Sequence, residues 1–308
     1  MRLFRKNVAL AVDGGGIKGI MVTRALAMLE QHMGVPVHTI FRLATGTSTG
    51  AIIAASLGAG LSAERIFGLY RQLGRDVFRR NWRSCLWPLT RYRYTHAALE
   101  RALKTYIGDI RMGDLWAADP STDVVITVFD LVAQRTRFVK SWKSKYARWP
   151  VKTAVLASCS IPTYFPVVNG RYVDGGVGSY ANPCYLAAYE ARFCLGWDPA
   201  ETTLISLGTG RDPHDLKPGD ADRFWVWNWI NPVLGAFLQS ADDQQVRLVQ
   251  TFFNRIDFRR FQIDCAQPLR ADDPKQTGVL IRYGEELGNK ILHDETDWAA
   301  DISAGTAV

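Results

Sequence analysis

Two strand-to-helix junctions built from glycine constrain this chain more than any other feature. Val8-Ala-Leu-Ala-Val12 reads as a buried strand, and it runs straight into Asp13-Gly-Gly-Gly-Ile-Lys-Gly19. A helix should follow, with Ile20, Val22, Ala25, Leu26 and Leu29 near the 3.6-residue period and a stop at Gly34, before Pro36. Phe41-Arg-Leu-Ala44 predicts a second strand, and Gly46-Thr-Ser-Thr-Gly50 then turns into the all-apolar run Ala51–Leu57. Strand, glycine turn and helix, twice over, is the alternation of a parallel sheet covered by helices. Such sheets carry reactive groups at the carboxyl ends of their strands, where both turns fall.

Further along, the spacing of Ile66, Tyr70, Leu73 and Val77 predicts a helix from about Glu64 to Arg83. Residues 123–129 and 136–142 read as an antiparallel pair, and Val151–Cys159 as a short helix. Arg171-Tyr-Val173 is a strand entering Asp174-Gly-Gly176, and Thr203–Leu207 another entering Gly208-Thr-Gly210. Most of the remainder reads as helix, notably 224–254 and about Gly284–Leu292, with a closing strand at Phe261–Asp264. The expectation is a single α/β domain over 1–308, with its motifs between 8 and 210 and a helical part from about 211.

The 308 residues include five cysteines, an odd number without metal-ligand or redox spacing, which suits free thiols in a reducing cytoplasm. The start carries basic residues, but its apolar run is short and holds Asp13, so it reads as a core strand and not a signal peptide. The sequence holds no run of about 18 apolar residues, so no membrane-spanning helix is expected. The formal charge is +7, and +6 of it falls between Arg71 and Arg93, where seven arginines face one acid, Asp76. Arg71, Arg75, Arg79 and Arg83 recur at steps of four, with Trp82 and Trp87 at the end of the segment. Such an excess points to an anionic partner (a membrane surface, a nucleic acid or a phosphorylated ligand) or to a solvated helix face.

Gly46-Thr-Ser48-Thr-Gly50 fits the G-x-S-x-G nucleophile elbow, in which flanking glycines permit a tight turn that holds the serine strained and projecting. The alternative is an ordinary helix-capping serine. The base that Ser48 needs is best supplied by Asp174, which ends a strand and precedes two glycines, Gly175 and Gly176. An α/β-hydrolase triad would instead need a later histidine, His214 or His293, neither of which sits in a glycine-rich strand-end loop. Gly14, Gly15 and Gly16 offer unobstructed backbone amides for an oxyanion hole, with the amide of Thr49 as a further donor. Lys18 could add charge or hold that loop. The run also matches G-x-G-x-x-G through Gly19, but the acid a dinucleotide site wants after the second strand is missing.

Asp13-Gly-Gly-Gly-Ile-Lys-Gly19, Gly46-Thr-Ser-Thr-Gly50 and Asp174-Gly-Gly176, in that order, together resemble the patatin-like phospholipase family. Residues 157–166, ending Ser-Ile-Pro-Thr-Tyr-Phe-Pro, also resemble the stretch found before the family's aspartate. The resemblance implies a three-layer α/β/α fold with a mostly parallel sheet. It implies a serine lipid acyl hydrolase in which Ser48 is the nucleophile, Asp174 the base and Gly14, Gly15 and Gly16 the oxyanion loop, with no metal or cofactor. The substrate would be a phospholipid or lysophospholipid at a membrane surface, met by the arginine segment, and no DNA or RNA partner is expected. The enzyme would be cytoplasmic, peripheral at the inner face of the membrane.

Some bacterial members of the family are anti-phage effectors switched on by cyclic nucleotides. The compact length here is similar, which implies a second reading in which the basic segment binds a cyclic-nucleotide activator. Other readings are a non-catalytic lipid-binding protein on the same fold and a Ser-His-Asp esterase. Oligomeric state stays open.

Overall fold

The computed structural model describes residues 1–79, 86, 89–116, 119–213, 216–225 and 241–297. Among them, seven strands form one sheet: β1 (Asn7–Val12), β2 (Leu43–Gly46), β3 (Asp123–Asp130), β4 (Arg135–Lys140), β5 (Tyr172–Asp174), β6 (Thr202–Leu207) and β7 (Asp257–Phe261). Their order is β4-β3-β2-β1-β6-β7, with β5 paired to β3. The pairs β1–β2, β2–β3, β1–β6 and β6–β7 are parallel, whereas β4 and β5 run antiparallel to β3.

The helices that matter below are α1 (Gly19–Met33), α2 (Thr49–Gly58), α3 (Ala63–Asp76), α4 (Ala97–Tyr106), α5 (Val151–Ser158), α6 (Cys184–Tyr189), α7 (241–252) and α8 (Thr277–His293). Alternation along the strands builds two cores. Val8, Leu10 and Val12 of β1 face one side with Val124, Ile126 and Val128 of β3, beneath α1 to α5 and α8. Ala9, Ala11, Val125 and Leu204 face the other, beneath α6 and α7. This is the α/β/α sandwich, and β1 is buried on both faces because it lies inside the sheet.

Several sequence expectations shift. The second strand is Leu43–Gly46, not Phe41–Ala44, so the strand reaches the glycine turn itself. The arginine-bearing helix ends at Asp76, and Val77 and Phe78 leave it to line a cavity. The region after 210 is not helical throughout. Its strand covers Asp257–Phe261, not Phe261–Asp264, and its two arginines are buried because carboxylates pair with them, Asp257 of the same strand and Asp294 with Arg259, Asp13 and Asp242 with Arg260. The last helix begins at Thr277, not near Gly284; Gly284 packs directly on Met21 and Arg24 of α1, too close for a side chain. Residues 226–240 of the expected long helix lie outside the described residues, as do His214, Trp82, Arg83 and Trp87. No helix among the described residues is long and apolar enough to cross a membrane.

Candidate active site

Ser48 follows β2 and caps α2, but not as an ordinary helix cap. Its φ of 55° and ψ of −118° lie outside the common regions, and its side chain makes no capping hydrogen bond. The capping-serine alternative therefore lacks its defining contact. The strain is held by close packing. A Cβ on Gly46 would collide with the carbonyl of Gly50, and one on Gly50 with the carbonyl of Val12. Three further contacts pin the turn. The Ser48 amide donates to Ser158 Oγ at 2.8 Å, the Cys159 thiol donates to the Ser48 carbonyl at 3.2 Å, and Thr47 Oγ1 lies 2.6 Å from Thr127 Oγ1 on β3.

Asp174 ends β5 and is buried. Its Oδ1 accepts from the Gly176 amide at 2.8 Å, at the start of the turn made by Gly175 and Gly176. Its Oδ2 is buried and has no hydrogen-bond partner among the described residues. Burial pushes the carboxyl up to about 6, against the opposing effects of the Gly176 amide and the nearby Ser48 hydroxyl. The Asp174 amide donates to the Ser160 carbonyl at 3.1 Å. Residues 158–160 thus touch both sides of the pair: Ser158 and Cys159 hold Ser48, and Ser160 holds Asp174. The sequence marked this stretch only by its resemblance and assigned it no task.

The glycine loop lies against the elbow, with the Cβ position of Gly14 3.3 Å from Ser48 Cβ. One expected oxyanion donor is corrected here. The amide of Gly14 is committed to the Ala181 carbonyl at 2.8 Å and so is not free for the expected role. The amides of Gly15, Gly16 and Thr49 donate to no acceptor among the described residues. Lys18 does not offer its charge to the site. Its Nζ is 3.1 Å from Asp212 Oδ2, so it ties the loop down. Gly19 opens α1 against Thr49 and Tyr70.

Ser48, Thr49 and Gly16 open onto an almost wholly apolar cavity of about 550 Å³, its mouth included. Ile52, Leu73, Val77, Phe78, Leu99 and Phe165 form much of its wall. α3 therefore works on two faces. Tyr70 and Leu73 line the cavity, while Arg71 and Arg75 are exposed, and Arg79 is exposed beyond the helix end. His293 is remote in kind: it sits exposed at the end of α8 with Nδ1 2.8 Å from the Asn289 carbonyl. His96 bonds Ser160 Oγ at 3.0 Å, and burial pushes its pKa down.

A family profile described as patatin-like phospholipase matches residues 10–188, more than half of the chain. The chain belongs to this family. Among proteins similar to this patatin-like chain is the calcium-independent phospholipase A2-gamma of Rattus norvegicus, 31% identical over 231 residues. That match covers 68% of this chain but 29% of the rat protein, so the chain spans under a third of that relative's length. A cGAMP-activated phospholipase of Pseudomonas aeruginosa is 28% identical over 311 residues, covering 96% of this chain and 88% of that protein. Among solved structures, VipD of Legionella pneumophila superposes with a TM-score of 0.51 at 13% identity, over 94% of this chain and 67% of that one, a likeness of fold.

Proposed function

We propose that this protein hydrolyses fatty-acyl esters of phospholipids or lysophospholipids through a Ser48–Asp174 dyad. The observation that carries the reading is the unpartnered, buried Oδ2 of Asp174 beside a strained elbow serine at the head of an apolar cavity. An acyl chain fills the cavity and brings its ester carbonyl over Ser48. As Oγ attacks the carbonyl carbon, its proton passes to Asp174 Oδ2, and the oxygen's negative charge meets the amides of Gly15, Gly16 and Thr49. Collapse of the tetrahedral intermediate breaks the ester C–O bond, and the leaving alkoxide takes the proton from Asp174. Water then attacks the acyl-serine, gives its proton to Asp174, and releases the fatty acid as Ser48 regains its proton. Family membership and the phospholipase relatives support the substrate class.

Ser48→Ala and Asp174→Asn test the dyad on a mixed phospholipid substrate with product identification. Each should lower turnover by about 10³-fold or more in a folded protein. Full activity in either variant refutes the dyad, whereas a wild type that binds lipid without hydrolysing it leaves a lipid-binding protein.

Two finer readings accompany this one. The exposed Arg71, Arg75 and Arg79 lie on the outer side of the cavity wall and suit an anionic membrane surface, where each basic residue contributes about 1 kcal/mol. Charge reversal at all three should weaken sedimentation with anionic vesicles at least tenfold, and unchanged binding rejects the surface. The near full-length similarity to a cGAMP-activated phospholipase supports activation by a cyclic nucleotide, as in an antiviral effector. Activity should then rise when a cyclic di- or trinucleotide is added, and a flat response across a panel rejects this control.

A further inference from the structure

The family profile stops at residue 188, yet the glycine loop is held mainly by residues beyond it. Thr209 Oγ1 donates to the Gly14 carbonyl at 2.6 Å, the Ala271 carbonyl accepts from the Ile17 amide at 2.9 Å, and Asp212 pairs with Lys18. The deepest anchor is a guanidinium. Arg260, on β7, has a side chain only 3% exposed. Its Nη1 donates to Asp13 Oδ1 at 3.0 Å and its Nη2 to Asp13 Oδ2 at 2.6 Å, a two-point fork on the residue that precedes Gly14. Nη1 also donates to Ser206 Oγ at 2.9 Å, and Nη2 to Asp242 Oδ1 at 3.1 Å.

The network continues toward the acid. Asp242 Oδ1, on α7, accepts from Asn182 Nδ2 at 2.5 Å. Asn182 follows Ala181, whose carbonyl receives the Gly14 amide at 2.8 Å. One buried cluster thus joins the end of β1, β6, β7, α7 and the segment that follows Asp174-Gly175-Gly176. Stability alone is a poor reason to bury it. A buried ion group is often no more stable than apolar residues of equal volume, whereas its directional bonds select one geometry. Oxyanion donors are where such selection matters, since misplacement by about 1 Å costs about 10²-fold in rate.

We propose that Arg260 is the positioning residue of the oxyanion loop. Its fork on Asp13, braced by Asp242, sets Gly15 and Gly16 at the height the tetrahedral intermediate requires. The proposal rests on the reading of Ser48 as nucleophile. It assigns the part of the chain beyond the family match a task in catalysis: that part fixes the loop's geometry, and Arg260 acts on the substrate only through Asp13.

The test compares wild type, Arg260→Lys and Asp242→Asn on a water-soluble acyl ester, with circular dichroism and fluorophosphonate labelling of Ser48. Lysine keeps the charge but cannot hold two oxygens of Asp13 and reach Asp242 together. Arg260→Lys should lower kcat by about 10²-fold with KM within about twofold, because an oxyanion donor acts only in the transition state. The labelling rate should fall in parallel. Asp242→Asn leaves the fork intact and, by loosening its brace, should lower kcat by about tenfold with KM unmoved; it decides the matter if Arg260→Lys fails to fold. Folded variants whose kcat per labelled site stays within about threefold of wild type overturn the proposal. A wild type with no Ser48-dependent hydrolysis or labelling, both without and with an added cyclic di- or trinucleotide, overturns the nucleophile reading, and this proposal with it.

Discussion

Ser48 and Asp174 arrive at the same edge of β3 from opposite directions. β2 runs parallel to β3 and ends with Gly46 opposite Ile126; β5 runs antiparallel to β3 and ends with Asp174 opposite Val128. Two strand positions, about 6.6 Å along β3, separate the two registers. Backbone pairing, more than any side-chain contact, therefore delivers the carboxylate to the serine.

A fixed register leaves the carboxylate no room to retreat. Asp174→Glu keeps the functional group but pushes it one methylene further into a buried site. Turnover of a soluble ester should fall by about 10²-fold or more while the circular dichroism spectrum stays unchanged. Near wild-type turnover would show that the register does not set the geometry.

The pH profile follows from the same burial. On the proposed dyad Asp174 must be ionised to accept the serine proton, and burial places its pKa at about 6. The kcat/KM of a soluble, uncharged ester should rise with pH through about 6 and level off above it. A profile already flat from pH 4.5 would contradict that assignment.

Stability should move the other way. In the unfolded chain Asp174 titrates near 3.8, and in the folded protein near 6. The folded state thus holds the proton more tightly. Its contribution is fully present below 3.8 and is lost as pH rises through about 6. Ionising this buried group therefore costs about 3 kcal/mol at neutral pH, by 1.36 kcal/mol for each pKa unit. Asp174→Asn removes that penalty. In urea unfolding at pH 8 it should be more stable than wild type by a large part of that amount, and the gain should shrink toward pH 4. A gain independent of pH would assign the effect to packing.

The cavity should set acyl length. Leu73 is 5% exposed and lines it from α3. Leu73→Trp fills part of the space, so kcat/KM for a hexadecanoyl ester should drop about tenfold or more relative to a butanoyl ester, at a stability cost of about 1–3 kcal/mol. An unchanged ratio would place the acyl chain elsewhere.

The amino-acid sequence by itself determined the elements whose cause is local. Glycines at Gly46 and Gly50 announce a turn tighter than side chains allow, and Asp174 before Gly175 and Gly176 announces a carboxylate at a strand end. The alternation of strand and helix determined the sandwich. The tertiary structure decided what depends on partners far along the chain. It gave the amide of Gly14 to Ala181, tied Lys18 to Asp212 and set Ser158 and Cys159 against the elbow. It also buried Arg260, because Asp13, 247 residues away, neutralises it. Local patterns encode backbone conformation; which donor meets which acceptor is settled only when the strands pair and water is excluded between them.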